Sequence, residues 1–73
     1  MQESQGSVPE PNTYMKVLRK GRGMTQEDVA AKAGITQQHY SLIERGMVSP
    51  TMRTARRIAQ ALEVDLDAVW PET

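Results

Sequence analysis

TQEDVAAKAGITQQHYSLIERG, residues 25–46, decides the fold. Its physics is that of two short helices joined by a tight turn. Thr25 can cap the first helix, and Asp28 three residues on completes the reciprocal pattern of a capping box. Met24 and Val29 stand at hydrophobic-staple positions around that cap. Gly34 follows Ala33 and supplies the left-handed residue that ends a helix at little steric cost. Thr36 caps the second helix, and the staple recurs as Ile35 with Tyr40. Helices so close in sequence must cross steeply, which demands a small residue at the crossing, and Ala30 fits. Val29, Ala33, Ile35, Tyr40 and Ile43 then form one apolar wedge.

This stretch resembles the helix-turn-helix of the Xre family, the phage repressors and Cro proteins. Gln26, Ala30, Gly34, Ile35, Tyr40 and Ile43 fall where that pattern has Gln, a small residue, Gly and three apolar residues. The IERG that follows is a further family feature. The resemblance covers residues 14–70 and implies an all-α fold, a compact bundle of five short helices of the lambda-repressor type. It also implies that the second helix lies in the major groove of duplex DNA, its first residues on base edges.

The outer elements agree. Asn12 or Thr13 can cap a helix running to about Lys20, with Met15 and Leu18 facing inward and Lys16 and Lys20 outward. Gly21 and Gly23 end it. Pro50 follows the reading helix, and Thr51 or Ser49 caps the next, whose inward stripe is Met52, Ala55, Ile58, Ala59 and Leu62. Asp65 caps a last short helix, with Val64 and Val69 as a third staple, and Pro71 ends it. The first residues, 1–12, read as a polar arm, residues 13–70 as the domain, and 71–73 as a tail. The arm has two glutamates and no Lys or Arg, which disfavours an arm reaching into the minor groove.

A formal charge of zero hides an uneven distribution. All nine Lys and Arg lie within residues 14–57 against three acids, a surplus of six. Residues 58–73 hold four acids and no base. A basic middle beside an acidic end suits a polyanion on one side. With 73 residues the chain has room for one small core, so dimerisation would help stability. Without cysteine there is no disulfide or thiolate site, and one histidine builds no metal site. No cofactor is expected. The start MQESQGSVPEPN has neither basic n-region nor apolar h-region, and no apolar run reaches membrane-spanning length. The expected location is the cytoplasm. Glu27 and Asp28 read as acids in the first turn of a helix, where the dipole favours them, and no nucleophile accompanies them. No enzyme is expected.

The angular count at 100° per residue turns Tyr40 and Ile43 inward and Gln38, Ser41, Leu42 and Arg45 outward, with Gln37 and His39 on the flanks. Glutamine can pair with adenine in a bidentate fashion, and serine can bond several base edges. The expected base-reading residues are therefore Gln37, Gln38 and Ser41, with Leu42 meeting a thymine methyl or nothing. The segment TQQ also matches the start of the reading helix in one lambdoid phage repressor, where both glutamines touch bases. By the same resemblance Gln26 bonds a phosphate and buttresses Gln37. Arg45, Arg53, Thr36 and the helix N-terminal amides complete the expected phosphate contacts. Arg56 and Arg57 suit phosphate or the acidic tail equally. In phage members an Arg at the place of Arg19 pairs with a buried Glu at the place of Glu44, and both are present.

The last helix of such proteins commonly lines a dimer interface, which nominates Leu66, Val69 and Trp70, while Trp70 closing the monomer core is equally open. The expectation is a transcriptional regulator, most simply a repressor, bound as a homodimer to a palindromic operator. The alternative is an antitoxin or interaction module that grips a protein partner.

Overall fold

The computed structural model describes residues 12–70. Five helices follow in order: α1 Thr13–Gly21, α2 Gln26–Ala33, α3 Gln37–Glu44, α4 Met52–Ala61 and α5 Leu66–Val69. No strand occurs among the described residues. None of these helices is long and apolar enough to cross a membrane.

Side-chain caps set where the first four helices begin. Asn12, Thr25, Thr36 and Thr51 each accept a hydrogen bond from the backbone N–H three residues on. At α2 the box is reciprocal: Asp28 N donates to Thr25 Oγ1 at 3.0 Å, and Thr25 N donates to Asp28 Oδ2 at 2.9 Å. That backbone bond, with a lesser contribution from Lys32, holds the Asp28 carboxyl below its ordinary value. Asp65 differs from expectation. It occupies the N-cap position of α5, but its exposed carboxylate makes no capping bond. This single turn is instead held through Val69 in the core and Leu66 and Trp70 against it.

Asn12 belongs to the domain rather than to the arm. Its Oδ1 caps α1, its Nδ2 donates to Val69 O at 3.0 Å, and its backbone N donates to Glu44 O at 2.8 Å. One residue thus ties together the start of α1, the end of α3 and the end of α5.

Two left-handed residues shape the ends of the central pair. Gly34 has φ 75° and closes α2, with Ile35 N donating to Ala30 O. Gly46 has φ 77° and closes α3, with Met47 N donating to Leu42 O. Glu63 does the same work at the end of α4 with φ 59°, although it carries a side chain.

The core joins Met15, Val29, Ala30, Ala33, Tyr40, Ile43, Ile58, Ala59, Leu62 and Val69 across all five helices. The expected stripe of α4 needs one correction: Met52 is 59% exposed. At about 100° per residue it lies about 90° from the centre of the buried stripe, and it is the first residue of the helix. Ala61, not foreseen in that stripe, is buried.

Candidate nucleic-acid interface

The outer face of α3 is polar because its inner face is fully committed. Tyr40, Ile43 and Glu44 are buried, which fixes the rotation of the helix about its axis. Gln37, Gln38 and His39 are then exposed in the first turn, and Arg45 is exposed at the C-cap. Ser41 and Leu42 are half-buried, so the fully open part of the face is narrower than the angular count suggests. Thr36 Oγ1 accepts from His39 N at 3.0 Å, which leaves its hydroxyl hydrogen available to a ligand.

Beneath that face lies a buried polar knot. Arg19 and Glu44 meet as a bidentate pair, Nε to Oε2 at 2.8 Å and Nη2 to Oε1 at 3.1 Å. Tyr40 Oη donates to Oε2 at 2.7 Å, and Gln26 Nε2 donates to Oε1 at 3.0 Å. Arg19 Nη1 also donates to Met24 O at 2.9 Å. The carboxylate thus accepts four hydrogen bonds while Glu44 is 4% exposed. Burial by itself pushes this carboxyl up. The bonds from Arg19, Gln26 and Tyr40, with the charge of Arg19, outweigh burial and hold it below its ordinary value. Arg19 is shifted upward, chiefly by its hydrogen bond to Glu44. Burial and then Glu44 hold the Tyr40 phenol well above its usual value, so it remains a donor.

The knot positions Gln26. One N–H of its amide is engaged by Glu44, and the second N–H is left for an outside acceptor. Among the described hydrogen bonds, that of the Gln26 side chain goes to Glu44. Arg53 is exposed in the first turn of α4. Arg56 and Arg57 are exposed and form no ion pair among the described residues, where the pairs are Arg19–Glu44 and Arg22–Glu63.

Val69 is fully buried, so its side chain offers no surface to a second copy. Leu66 and Trp70 are half-buried against the core. Two features escaped sequence reasoning. The Tyr40 hydroxyl was hidden behind the apolar role of its ring, although its spacing of four from Glu44 is a helical contact distance. The groove formed by Lys32, Arg57 and Gln60 joins residues far apart in the chain. No group of acids and His able to hold a metal occurs among the described residues.

A capped helix with an exposed polar first turn, locked to a preceding helix by a glycine turn, is the geometry of a helix-turn-helix. The Helix-turn-helix family model HTH_3 matches residues 15–69. The chain belongs to this family. The relatives it resembles in sequence are named as HTH-type transcriptional regulators and a phage repressor. One similar protein is an HTH-type transcriptional regulator of Sinorhizobium fredii, 49% identical over 47 residues, covering 64% of this chain and 61% of that protein. Another is the immunity repressor of Bacillus phage phi105, 33% identical over 58 residues, covering 80% of this chain and 40% of the repressor. The chain therefore spans less than two thirds of either relative. Among solved structures, the restriction-modification controller protein C.Esp1396I is 35% identical, with TM-score 0.69, covering 74% of this chain and 70% of that one. The controller C.AhdI from Aeromonas hydrophila superposes with TM-score 0.77 at 22% identity over 80% of this chain and 88% of that one, which shows a common fold.

Proposed function

We propose that this HTH_3 chain represses transcription by binding a palindromic operator as a homodimer. The observation that carries the reading is the exposed first turn of α3, with Gln37 and Gln38 open to solvent and the helix locked from behind by Glu44. Those amides suit adenine edges, and Ser41 and Leu42 lie further along the same helix for a second base contact. Gln26, Thr36, Arg45 and Arg53 supply donors for phosphate around that helix. Repression and controller roles belong to relatives by name, which supports a regulatory role here. A small core and two half-sites per operator favour a dimer, with Leu66 and Trp70 at the end of the fold available to it.

The test is selection of bound sites from random duplexes by the purified chain, followed by measurement of stoichiometry. The expected result is a two-fold symmetric site, half-site centres about 34 Å apart, holding two chains. Selection of no consensus would overturn the reading, and a single chain on an asymmetric site would overturn the dimer.

A further inference from the structure

A basic groove lies where α2 ends. Lys32, Ala33 and Gly34 form one wall and Arg57, Gln60 and Ala61 of α4 the other, enclosing about 520 Å³. Ala33 and Ala61 are buried, whereas Lys32, Arg57 and Gln60 are exposed. Neither cation is in an ion pair among the described residues. Asp28, one turn before Lys32, has its carboxylate held by Thr25 N at the other end of α2.

The position of the groove gives it meaning. Gln26 at the start of α2 is bonded to Glu44 at the end of α3. Only Gly34, Ile35 and Thr36 separate α2 from α3, so the end of α2 lies beside the start of α3. Arg57 Nη1 comes within 3.8 Å of where a Cβ on Gly34 would stand, so the groove abuts the turn leading into Thr36 and Gln37. Arg53 sits one turn before Arg57 on α4 and extends the positive track back towards the loop after α3. Cations thus flank α3 at both ends, Arg45 at one and Lys32 with Arg57 at the other.

Eight residues make α3 about 12 Å long, and the major groove is about 12 Å wide. A helix of that length set in the groove brings its two ends towards two walls of phosphate. We propose that Lys32 and Arg57, with Gln60 as a neutral donor, form a second phosphate-binding site on the DNA backbone at the Gln37 end of α3. The inference rests on the reading of α3 as the helix that enters DNA. It adds Lys32 and Gln60 to Arg57, which the sequence left between phosphate and the acidic tail, and widens the footprint beyond the bases read.

The test uses the full chain with Lys32→Ala, Arg57→Ala and the double variant, on the selected duplex and on scrambled DNA, over a series of salt concentrations. Each single variant is expected to lower the salt slope by about one, and the double by about two, with base preference unchanged. Lys32→Arg and Arg57→Lys should keep the slope. Both side chains are exposed, so thermal melts should match the parent. Shortening the duplex on that flank should weaken the parent and leave the double variant unaffected. Specific binding with an unchanged slope would overturn the groove assignment while leaving the reading of α3 intact, and capture of a poly-glutamate peptide by that groove would assign it to an acidic protein instead. Altered base preference would also overturn it, by placing the cations at base edges. Failure of the parent chain to discriminate the two DNAs would instead strike the underlying reading.

Discussion

Gln26 at the first position of α2 donates to Glu44 at the last position of α3, 3.0 Å away, and so fastens the opposite ends of the helix-turn-helix. The same carboxylate holds Arg19 of α1. Three helices therefore converge on one buried anion. Glu44→Ala would leave the Arg19 guanidinium with Met24 O as its hydrogen-bond partner and is expected to cost about 3 kcal/mol. Gln26→Ala removes one of four bonds and should cost about 1 kcal/mol. Thermal melts of Arg19→Ala, Glu44→Ala and the double variant form the check. Strong non-additivity is expected, since each single change strands the partner. Simple addition of the two effects would show that the pair is not coupled.

Acid should act through this carboxylate. Its folded-state pKa lies below the ordinary value of 4.5, despite burial, because of its bonds to Arg19, Gln26 and Tyr40. A depressed folded pKa means that the stabilisation is fully present above the unfolded value. It is lost as pH falls through the folded value. Stability is thus expected to be flat near neutrality on account of Glu44 and to fall below about pH 4.5. Denaturant melts from pH 7 to pH 3 read this directly. Glu44→Gln should be less stable at pH 7 and show a shallower acid limb, and an identical acid limb would remove Glu44 from the account.

Much of this arrangement is legible in the sequence, because caps and turns are local. Thr25, Asp28, Gly34 and Thr36 each act on neighbours three or four residues away, which spacing can express. The pairing of Arg19 with Glu44 joins residues 25 apart, which local spacing does not express, and followed from family resemblance. Helix ends are read less well. Met52 obeys the spacing of the α4 stripe but sits at its margin, where there is no second turn to bury it. Val69 was nominated for a partner because it is apolar, yet the monomer core already encloses it. Asn12 showed its capping role, but not its bonds to Val69 and Glu44, since these depend on how chain ends meet. Lys32 and Arg57 were separate surface charges until folding brought them to one groove.

Glu63 is the one described residue other than glycine with positive φ, and it is expected to be a weak point. Left-handed backbone costs a residue with a Cβ about 1–2 kcal/mol, and glycine escapes that at some cost in chain entropy. The side chain compensates little, since its contact with Arg22 is a 3.3 Å exposed pair. The bond from Arg22 Nη2 to the Glu63 carbonyl survives any substitution. Glu63→Gly should therefore raise the melting temperature slightly, by about 0.5 kcal/mol of stability. Glu63→Val should lower it. A fall for glycine would mean that the side chain matters more than the backbone.

The decisive separation on α3 is between its two ends. Gln37 and Gln38 open the helix and are exposed, while Arg45 closes it as the C-cap. A glutamine amide forms a directional pair with one base, so Gln37→Ala or Gln38→Ala should each lose about 1–3 kcal/mol on the preferred duplex. Binding to scrambled DNA should hardly change, because it depends on neutralised phosphate. Arg45→Ala should weaken both duplexes alike and reduce the salt slope by about one. The knot around Glu44 is untouched by all three substitutions, so melts serve as a control for folding. Titration of preferred and scrambled duplexes at several salt concentrations measures every quantity at once. Equal losses on both duplexes for the glutamine variants would remove Gln37 and Gln38 from base reading. An altered base preference with an unchanged slope would move Arg45 from the backbone to the bases.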